Sequence, residues 1–364
     1  MGTTEALIAR LGENKMDGSS LSVGTPYQNI PSLGLCGHRD FSDQRARLIM
    51  ERVDMTGKTV ADLGCSVGTM SAVFGTKATS VVGYDHDPSS IAVASRLHNT
   101  NTHFECVDLT IGFLDKMPDV DVVVWTSQFM WMVKQHGSDY ALDFLWKLSK
   151  KCKTLVFETA GTEDGSAPLN IMQDEVINVL LRSTVFQNIR DYGPWNDGWF
   201  PRNLFVCSEP LIAHYGEWSS VHFPKRGIAV KVFKDNDFSM ELKARESMFL
   251  RKLSGYRHFP NVISEDDRSI TMNYSGPRAQ WLPEEDIRYI YKALDTEGIT
   301  HRDIRPENVL WNGVHSVLVD FSFAVMEKEV TNYHYDLGGK YKCPYGFNDE
   351  YSLRKIQSEM LRGK

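Results

Sequence analysis

Residues 301–310 read HRDIRPENVL, and residues 316–322 read SVLVDFS. The first stretch offers a carboxylate at Asp303, a guanidinium at Arg305 and a carboxamide at Asn308. The second ends a strand-like run on Asp320. Hard oxygen ligands such as Asn308 and Asp320 suit Mg²⁺ carrying nucleotide phosphates. Upstream, Lys231 lies inside the apolar run GIAVKVFK. Glu246 falls on the apolar stripe Leu242, Phe249, Leu250 and Leu253 of SMELKARESMFLRKLSG, for which Ser239 is the expected N-cap. A buried charge needs a partner, so Lys231 and Glu246 answer one another. The alternative is a glutamate at the edge of the stripe and a lysine whose head reaches water.

A second set of polar residues lies far upstream. Asp62, Gly64 and Gly68 fall in a turn after the β-prone KTVADLG. Asp85 ends SVVGYD, near the offset at which an acid takes ribose hydroxyls, and Asp108 ends the strand of THFECVDLT. These runs alternate with helix-like ones: TMSAVFGTKA, PSSIAVASRLHN with Pro88 near its start, and SDYALDFLWKLSKKC with Ala141, Phe144, Leu145 and Leu148 on one face. VDVVVWTSQF and KTLVFETA add strands. Such βαβ alternation predicts a parallel sheet with helices on both faces and ligands at the carboxyl ends of its strands.

The bulk of the chain bounds these readings. Its 364 residues suggest two or three domains, and 42% hydrophobic with 24% charged residues is the composition of globular material with real cores. A formal charge of -7 argues against a dedicated nucleic-acid binder. The six cysteines form no CxxC pair, so a reduced, cytoplasmic setting is expected. The start, MGTTEALIARLGENKMDG, lacks the pattern of a signal peptide, and Gly2 lacks the Ser or Thr that myristoylation prefers. No apolar run is long enough to span a bilayer, which leaves peripheral association open.

VADLGCSVG, VVGYDHD and ECVDLT together resemble the cofactor motifs of class I S-adenosylmethionine-dependent methyltransferases. That resemblance implies a Rossmann-like, doubly wound sheet ending in an antiparallel hairpin, here FQNIRDYGPWNDGWFPRNLFVCSE. It implies that Gly64 and Gly68 let the backbone approach the amino acid portion of the cofactor, with Asp62 and Cys65 beside them. Asp85 would accept from the ribose and Asp108 would contact the adenine amino group, flanked by His86 and Leu109. Ser127 and Gln128 would line the methyl-transfer side. Tyr27 would reach the acceptor, and Arg39 or Arg45 would pair with the cofactor carboxylate unless they are exposed charges. Trp195, Trp199 and Arg202 either wall the acceptor site or pack their loop. Ser66 replaces the usual middle glycine, which suggests a wider turn. A dinucleotide dehydrogenase is the rival, but Ser66 and Val67 spoil the GxGxxG spacing that presents amides to a pyrophosphate. Cys65 also reads as a packed residue, and His86 as a polar surface group rather than a metal ligand.

HRDIRPEN matches the H-R-D-x-x-x-x-N loop of protein kinases. By that resemblance Asp303 orients or deprotonates the acceptor hydroxyl, Arg305 binds the transferring phosphate, and Asn308 and Asp320 hold Mg²⁺. Lys231 and Glu246 form the pair that positions ATP phosphates, and Asp349 of NDEYSL braces the loop. EEDIRYIYKALDTEG precedes it as a helix with Ile287, Ile290, Tyr291 and Leu294 on one face. Two departures keep a pseudokinase in view: DFS stands for DFG, and HYGEWSSVHF has one glycine where a glycine-rich lid has several. The chain stops soon after NDEYSLRKIQSEMLRGK, without a helical platform for peptides, so a small acceptor is expected.

The order of the two halves resembles the bifunctional kinase–methyltransferases that cap the growing end of bacterial O-antigen polysaccharides. PYQNI, HGSDYALDFLWKLSK and FETA add to that likeness. It implies a methyltransferase domain over 1–210 and a compact, truncated, kinase-like α+β domain over 211–364. The cofactors would be S-adenosylmethionine, ATP and Mg²⁺. The acceptor would be a saccharide or related small molecule, phosphorylated and then methylated on the phosphate. The family's C-terminal coiled coil is not seen before Lys364, which puts membrane recruitment and a polymerase partner in doubt. A methyltransferase regulated by a nucleotide-binding pseudokinase, and a non-catalytic scaffold, are the alternatives.

Overall fold

The computed structural model describes residues 27–31, 36–37, 41–97, 101–162, 172–195, 202–326 and 337–362. Gly2, Arg39, Trp199 and the side chain of Trp195 lie outside the described residues. The chain divides into two compact units. The first is Met1–Ile177 with Asn188–Pro210, and the second is Asn178–Gln187 with Leu211–Lys364.

The first unit is built on strands β1 (Thr59–Leu63), β2 (Ser80–Asp85), β3 (Thr102–Cys106), β4 (Val120–Thr126), β5 (Cys152–Glu158), β6 (Phe186–Trp195) and β7 (Arg202–Pro210). They form one sheet in the order β3-β2-β1-β4-β5-β7-β6. The pairs from β3 through β5 are parallel, and β7 runs antiparallel to β5. The strand order reverses between β1 and β4, the place where open sheets of this kind hold ligands. Helices are α1 (Ser42–Arg52), α2 (Thr69–Phe74), α3 (Pro88–Leu97), α4 (Ile111–Lys116), α5 (Phe129–His136) and α6 (Ser138–Leu148); α7 (Val176–Ser183) belongs from Asn178 onward to the second unit. The alternation of β4 explains both layers. Val122 and Val124 face a cluster with Ala46, Ile49, Met70 and Phe74 from α1 and α2. Trp125 points the other way, against Phe129, Phe144 and Phe157 at ring distances of 5.0–5.7 Å. A strand covered on both faces has no polar side, hence the unbroken apolar run VVVW over Val122–Trp125.

The second unit opens with an antiparallel sheet of β8 (Ala213–Tyr215), β9 (Ser219–His222), β10 (Ile228–Phe233), β11 (Val262–Glu265) and β12 (Ser269–Asn273), in the order β11-β12-β10-β9-β8. Helix α8 (Asp237–Lys252) follows β10; α9 (Glu284–Glu297) and α10 (Asp349–Arg362) come later. Three acids open α9, which suits its dipole, and Gly298 closes it in the left-handed conformation. Short pairs β13 (Ile299–Thr300) with β16 (Val325–Met326), and β14 (Val309–Trp311) with β15 (Ser316–Leu318), flank the 301–310 loop.

Several local expectations shift. The N-cap of α8 is Asn236, whose side chain accepts from the Ser239 amide at 2.9 Å; Ser239 is already inside the helix. Tyr291 is exposed, while Ile287, Ile290 and Leu294 are buried. Asp62 belongs to β1 rather than to the turn, and Asp108 and Asp320 lie two residues beyond β3 and β15. HYGEWSSVHF forms a hairpin with one glycine sufficing: Gly216 N donates to Ser219 O at 2.8 Å across the β8–β9 turn. Among the described residues no helix is long and apolar enough to cross a membrane, and all six cysteines are free.

Candidate active sites

At the carboxyl ends of β1 and β2, the loop 64–68 is held by side chains the sequence singled out. Gly64 and Gly68 take φ of 80° and 77°. A Cβ on Gly64 would lie 2.5 Å from the Gln128 side chain, so the β1 turn and the end of β4 meet there. Ser66, standing where the motif carries glycine, takes the left-handed region at φ 52°, and its amide donates to Asp85 Oδ2 at 2.8 Å. Asp85 Oδ1 accepts from the Asp87 amide at 3.0 Å and lies 3.3 Å from His86 Nδ1. Burial alone would raise the Asp85 pKa. The bonds from His86, Asp87 and Ser66 outweigh it and pull the carboxyl below its usual range. The same bond to Asp85 raises His86, which stays largely exposed.

Asp62 plays a different part. It is buried, accepts from Ser71 Oγ at 2.6 Å, and is pushed up to about 6 by burial, with the Asp85 charge adding. Cys65 is buried, and its thiol is pushed up by burial and then by Asp62 and Asp85, which makes it a packed residue and a poor nucleophile. Asp108 is exposed and Leu109 half-buried. Tyr27 is exposed; beside it, Gln28 Oε1 accepts from the Thr69 amide at 3.3 Å and the Asn29 carbonyl accepts from Thr69 Oγ1 at 2.5 Å.

The ends of β4 and β5 carry a cluster that sequence reasoning missed. Glu158 is 1% exposed. It pairs with Arg45, and Oε1 accepts from Arg202 Nη1 at 3.2 Å and from Ser127 Oγ at 3.0 Å. Arg202 also reaches Ser127 Oγ at 3.0 Å. Ser127 takes φ 60°, a strained setting for a residue with a Cβ. Ser127, Arg45 and Arg202 therefore converge on one carboxylate, the last residue of β5 and the acid of FETA. The available signal was a charge at the carboxyl end of a buried strand.

In the second unit, Lys231, Glu246, Asn308, Asp320 and Ser322 line a cleft of about 240 Å³, whose apolar walls include Val221, Ala229, Met272 and Leu310. Lys231 Nζ lies 2.5 Å from Glu246 Oε2, 2.8 Å from Asp320 Oδ1 and 3.1 Å from Ser322 Oγ. Burial alone would lower Lys231, but Asp320 and Glu246 outweigh it and hold the amine above its ordinary value. Burial likewise pushes Asp320 up, and Lys231 more than reverses this, to about 2. The expected pair is thus made, and its lysine is shared with a second acid, Asp320.

The 301–310 loop is braced from behind. Asp349 accepts from the amides of His301 at 2.7 Å and Arg302 at 3.4 Å. Asp303 Oδ1 accepts from Arg305 Nε at 2.9 Å, Arg305 Nη2 at 2.5 Å and the Gly338 amide at 2.8 Å. Asn308 Nδ2 donates to the Asp303 carbonyl at 2.8 Å, which turns Oδ1 of the carboxamide away from that bond. Asn308 Oδ1 and the half-exposed Asp320 carboxylate are hard donors on one cleft, a set that fits Mg²⁺ when phosphates complete it. Among the described residues no group of three or more His, Cys, Asp and Glu forms a metal site without such help.

No protein-family model matches the chain, and no curated protein matches it. Solved structures are similar to it at low identity. A co-crystal structure of WbdD with the kinase inhibitor LY294002 is 19% identical, covers 94% of each chain and has a TM-score of 0.45. A structure of WbdD, described as a bifunctional kinase-methyltransferase, is 21% identical over 84% of this chain and 81% of that one, also at 0.45. Magnesium protoporphyrin IX methyltransferase from Synechocystis PCC 6803, with bound SAM, is 18% identical over 47% of this chain and 80% of its own, at 0.37.

Proposed function

We propose that the chain is a two-site transferase. Residues 1–210 would move a methyl group from S-adenosylmethionine, and residues 211–364 would move a phosphoryl group from ATP, as a kinase-like domain. The observation that carries the reading is the meeting of Lys231, Glu246, Asn308 and Asp320 in one cleft, although they lie far apart in sequence. The acceptor would be a saccharide or related small molecule, phosphorylated on a hydroxyl and then methylated on the new phosphate. Nucleic acid is not among the proposed partners.

In the second unit, Mg²⁺ when bound neutralises charge on the phosphates; Asn308 and Asp320 would hold it. Asp303 does the proton work. Its Oδ1 is filled by Arg305 and Gly338, while Oδ2 takes one longer bond, 3.3 Å from Asn308 Nδ2, so Oδ2 is the atom that would take the acceptor hydroxyl proton. Lys231, kept charged, orients phosphate oxygens. Arg305 would release Asp303 to reach the transferred group.

In the first unit, S-adenosylmethionine when bound supplies a methyl on a sulfonium. Gly64 and Gly68 open the backbone to it, Asp85 would accept from the ribose, and Asp108 would meet the base. Arg45, while keeping Glu158, would also hold the cofactor carboxylate, with Ser127 and Tyr27 toward the acceptor. Transfer is an in-line displacement that positioning accelerates. No covalent intermediate is needed, and the buried Cys65 thiol would be a poor source of one.

The full chain is incubated with both cofactors and a glycan or metabolite extract, and products are read by mass spectrometry. One molecule should gain phosphate and then methyl. No gain above an Asp303→Asn control across a broad panel sinks the phosphoryl half. A second reading, a methyltransferase regulated by a nucleotide-binding pseudokinase, draws on the fact that Lys231 spends its N–H donors within the protein. It predicts a thermal shift with MgATP and no turnover.

A further inference from the structure

Ser322 stands where the kinase motif carries glycine, and it is 4% exposed. Its hydroxyl donates to Glu246 Oε2 at 2.6 Å and accepts from Lys231 Nζ at 3.1 Å. A hydroxyl has one proton and two lone pairs, so both contacts are made at once. An ammonium has three donors, and Lys231 uses them on Glu246, Asp320 and Ser322. The preceding residue anchors the turn from the other side. Phe321 is fully buried, 4.6 Å from the His301 ring and 5.8 Å from the Phe259 ring. The turn carrying Asp320 is therefore pinned both to the 301–310 loop and to α8.

The three acceptors of Lys231 differ in how freely they can leave. Asp320 has a side chain 39% exposed, against 2% for Glu246. Asp320 can turn toward a cation in the cleft without stranding a charge in the interior. Lys231 then keeps Glu246 and Ser322, and its third N–H points where Asp320 Oδ1 had been, toward the cleft. With glycine at 322 the lysine would keep one protein anchor and could swing.

We infer that Ser322 is a positioning residue: its hydroxyl locks the Asp320 turn onto α8 and holds the Lys231–Glu246 pair in place while Asp320 changes partner. This rests on the reading of the cleft as a nucleotide site.

The test uses the full chain as wild type, Ser322→Ala, Ser322→Gly and Ser322→Thr, the last retaining a hydroxyl. Hydrogen exchange over 237–252 is measured without ligand, and MgATP affinity by calorimetry. Loss of the hydroxyl should speed exchange near Glu246 and weaken MgATP binding, each about tenfold, with S-adenosylmethionine binding unchanged and Ser322→Thr restoring both. Unchanged exchange in both Ser322→Ala and Ser322→Gly overturns the lock, whatever the nucleotide does. Faster exchange with unchanged MgATP affinity overturns the positioning role while leaving the nucleotide reading intact. A wild type that binds no MgATP removes the nucleotide reading and the role together.

Discussion

Each unit seals one glutamate beneath its candidate site, and the two are held differently. Glu158 is gripped by two arginines, Arg45 and Arg202, with Ser127 as a third donor. Glu246 shares one lysine with a second acid, Asp320, and takes a hydroxyl from Ser322. Guanidinium groups stay charged at any working pH and bind carboxylates as rigid forks, so the first cluster is a fixed brace. A lysine divided between two carboxylates, one of them half-exposed, can trade partners. The first arrangement would suit holding a shape through the proposed methyl transfer. The second would suit a site that, as proposed, admits a cation and releases it.

The comparison breaks first at Asp303. Asp303→Asn should lower phosphoryl transfer ~10²–10⁴-fold, the range for losing a general base, while S-adenosylmethionine binding by calorimetry stays at the wild-type value. A parallel loss of both would mean that the two sites are not separate machines.

Next come the two glutamates. Glu158→Ala takes the shared carboxylate from the buried Arg202 and the half-buried Arg45 and should cost about 3–5 kcal/mol in denaturant unfolding. Glu246→Ala should cost less, about 1–3 kcal/mol, because Lys231 retains Asp320 and Ser322. The reverse order would overturn the contrast between brace and exchangeable pair.

Acidity separates the units further. Asp62 takes a proton near 6 in the folded chain and near 3.8 when unfolded, so the folded state binds more protons between these values. Its contribution to stability is fully present below pH 3.8 and is lost as pH rises through 6, about 3 kcal/mol in all. Asp62→Asn should therefore gain on wild type as pH rises from 4 to 7, read as the difference in Tm; a flat difference refutes the buried, neutralised Asp62.

Gly64→Ala forces a Cβ onto Gln128 at φ 80° and should cost about 1–3 kcal/mol of S-adenosylmethionine affinity, with MgATP affinity unchanged. The smallest expected effect is at the start of α8. Asn236→Ala removes the cap and should cost about 1 kcal/mol, whereas Ser239→Ala at the position first read as the cap should leave the cap bond intact.

Much of both sites could be read before any coordinates, for a physical reason. Strand-end acids and the 301–310 loop work through residues close in sequence, where spacing determines geometry. Lys231 and Glu246 were paired across a longer interval because each broke an apolar pattern and needed the other. What escaped notice was chemistry between distant elements. Glu158 looked like the ordinary end of a strand, since Arg45 and Arg202 come from α1 and β7. Ser322 looked like a defect in a motif, since its value lies in atoms of β10 and α8. The single-glycine hairpin 213–222 was obscured by a rule about composition, although the backbone needs only one tight turn there. Tyr291 was misjudged because a stripe at helical spacing overreaches when a bulky ring can lie at the margin.

The division of the chain has a practical side. Asn178–Gln187 clusters with the second unit although first-unit sequence flanks it on both sides. Arg182 donates to the Asn312 carbonyl, the Val185 carbonyl receives the Leu211 amide, and Gln187 receives the Arg278 amide and lines the cleft that holds Lys231 and Asp320. Anyone who severs the polypeptide at 210 to obtain the smaller half alone takes these ten residues away from it. A fragment beginning at 178, or one with that stretch grafted ahead of 211, is the better starting material.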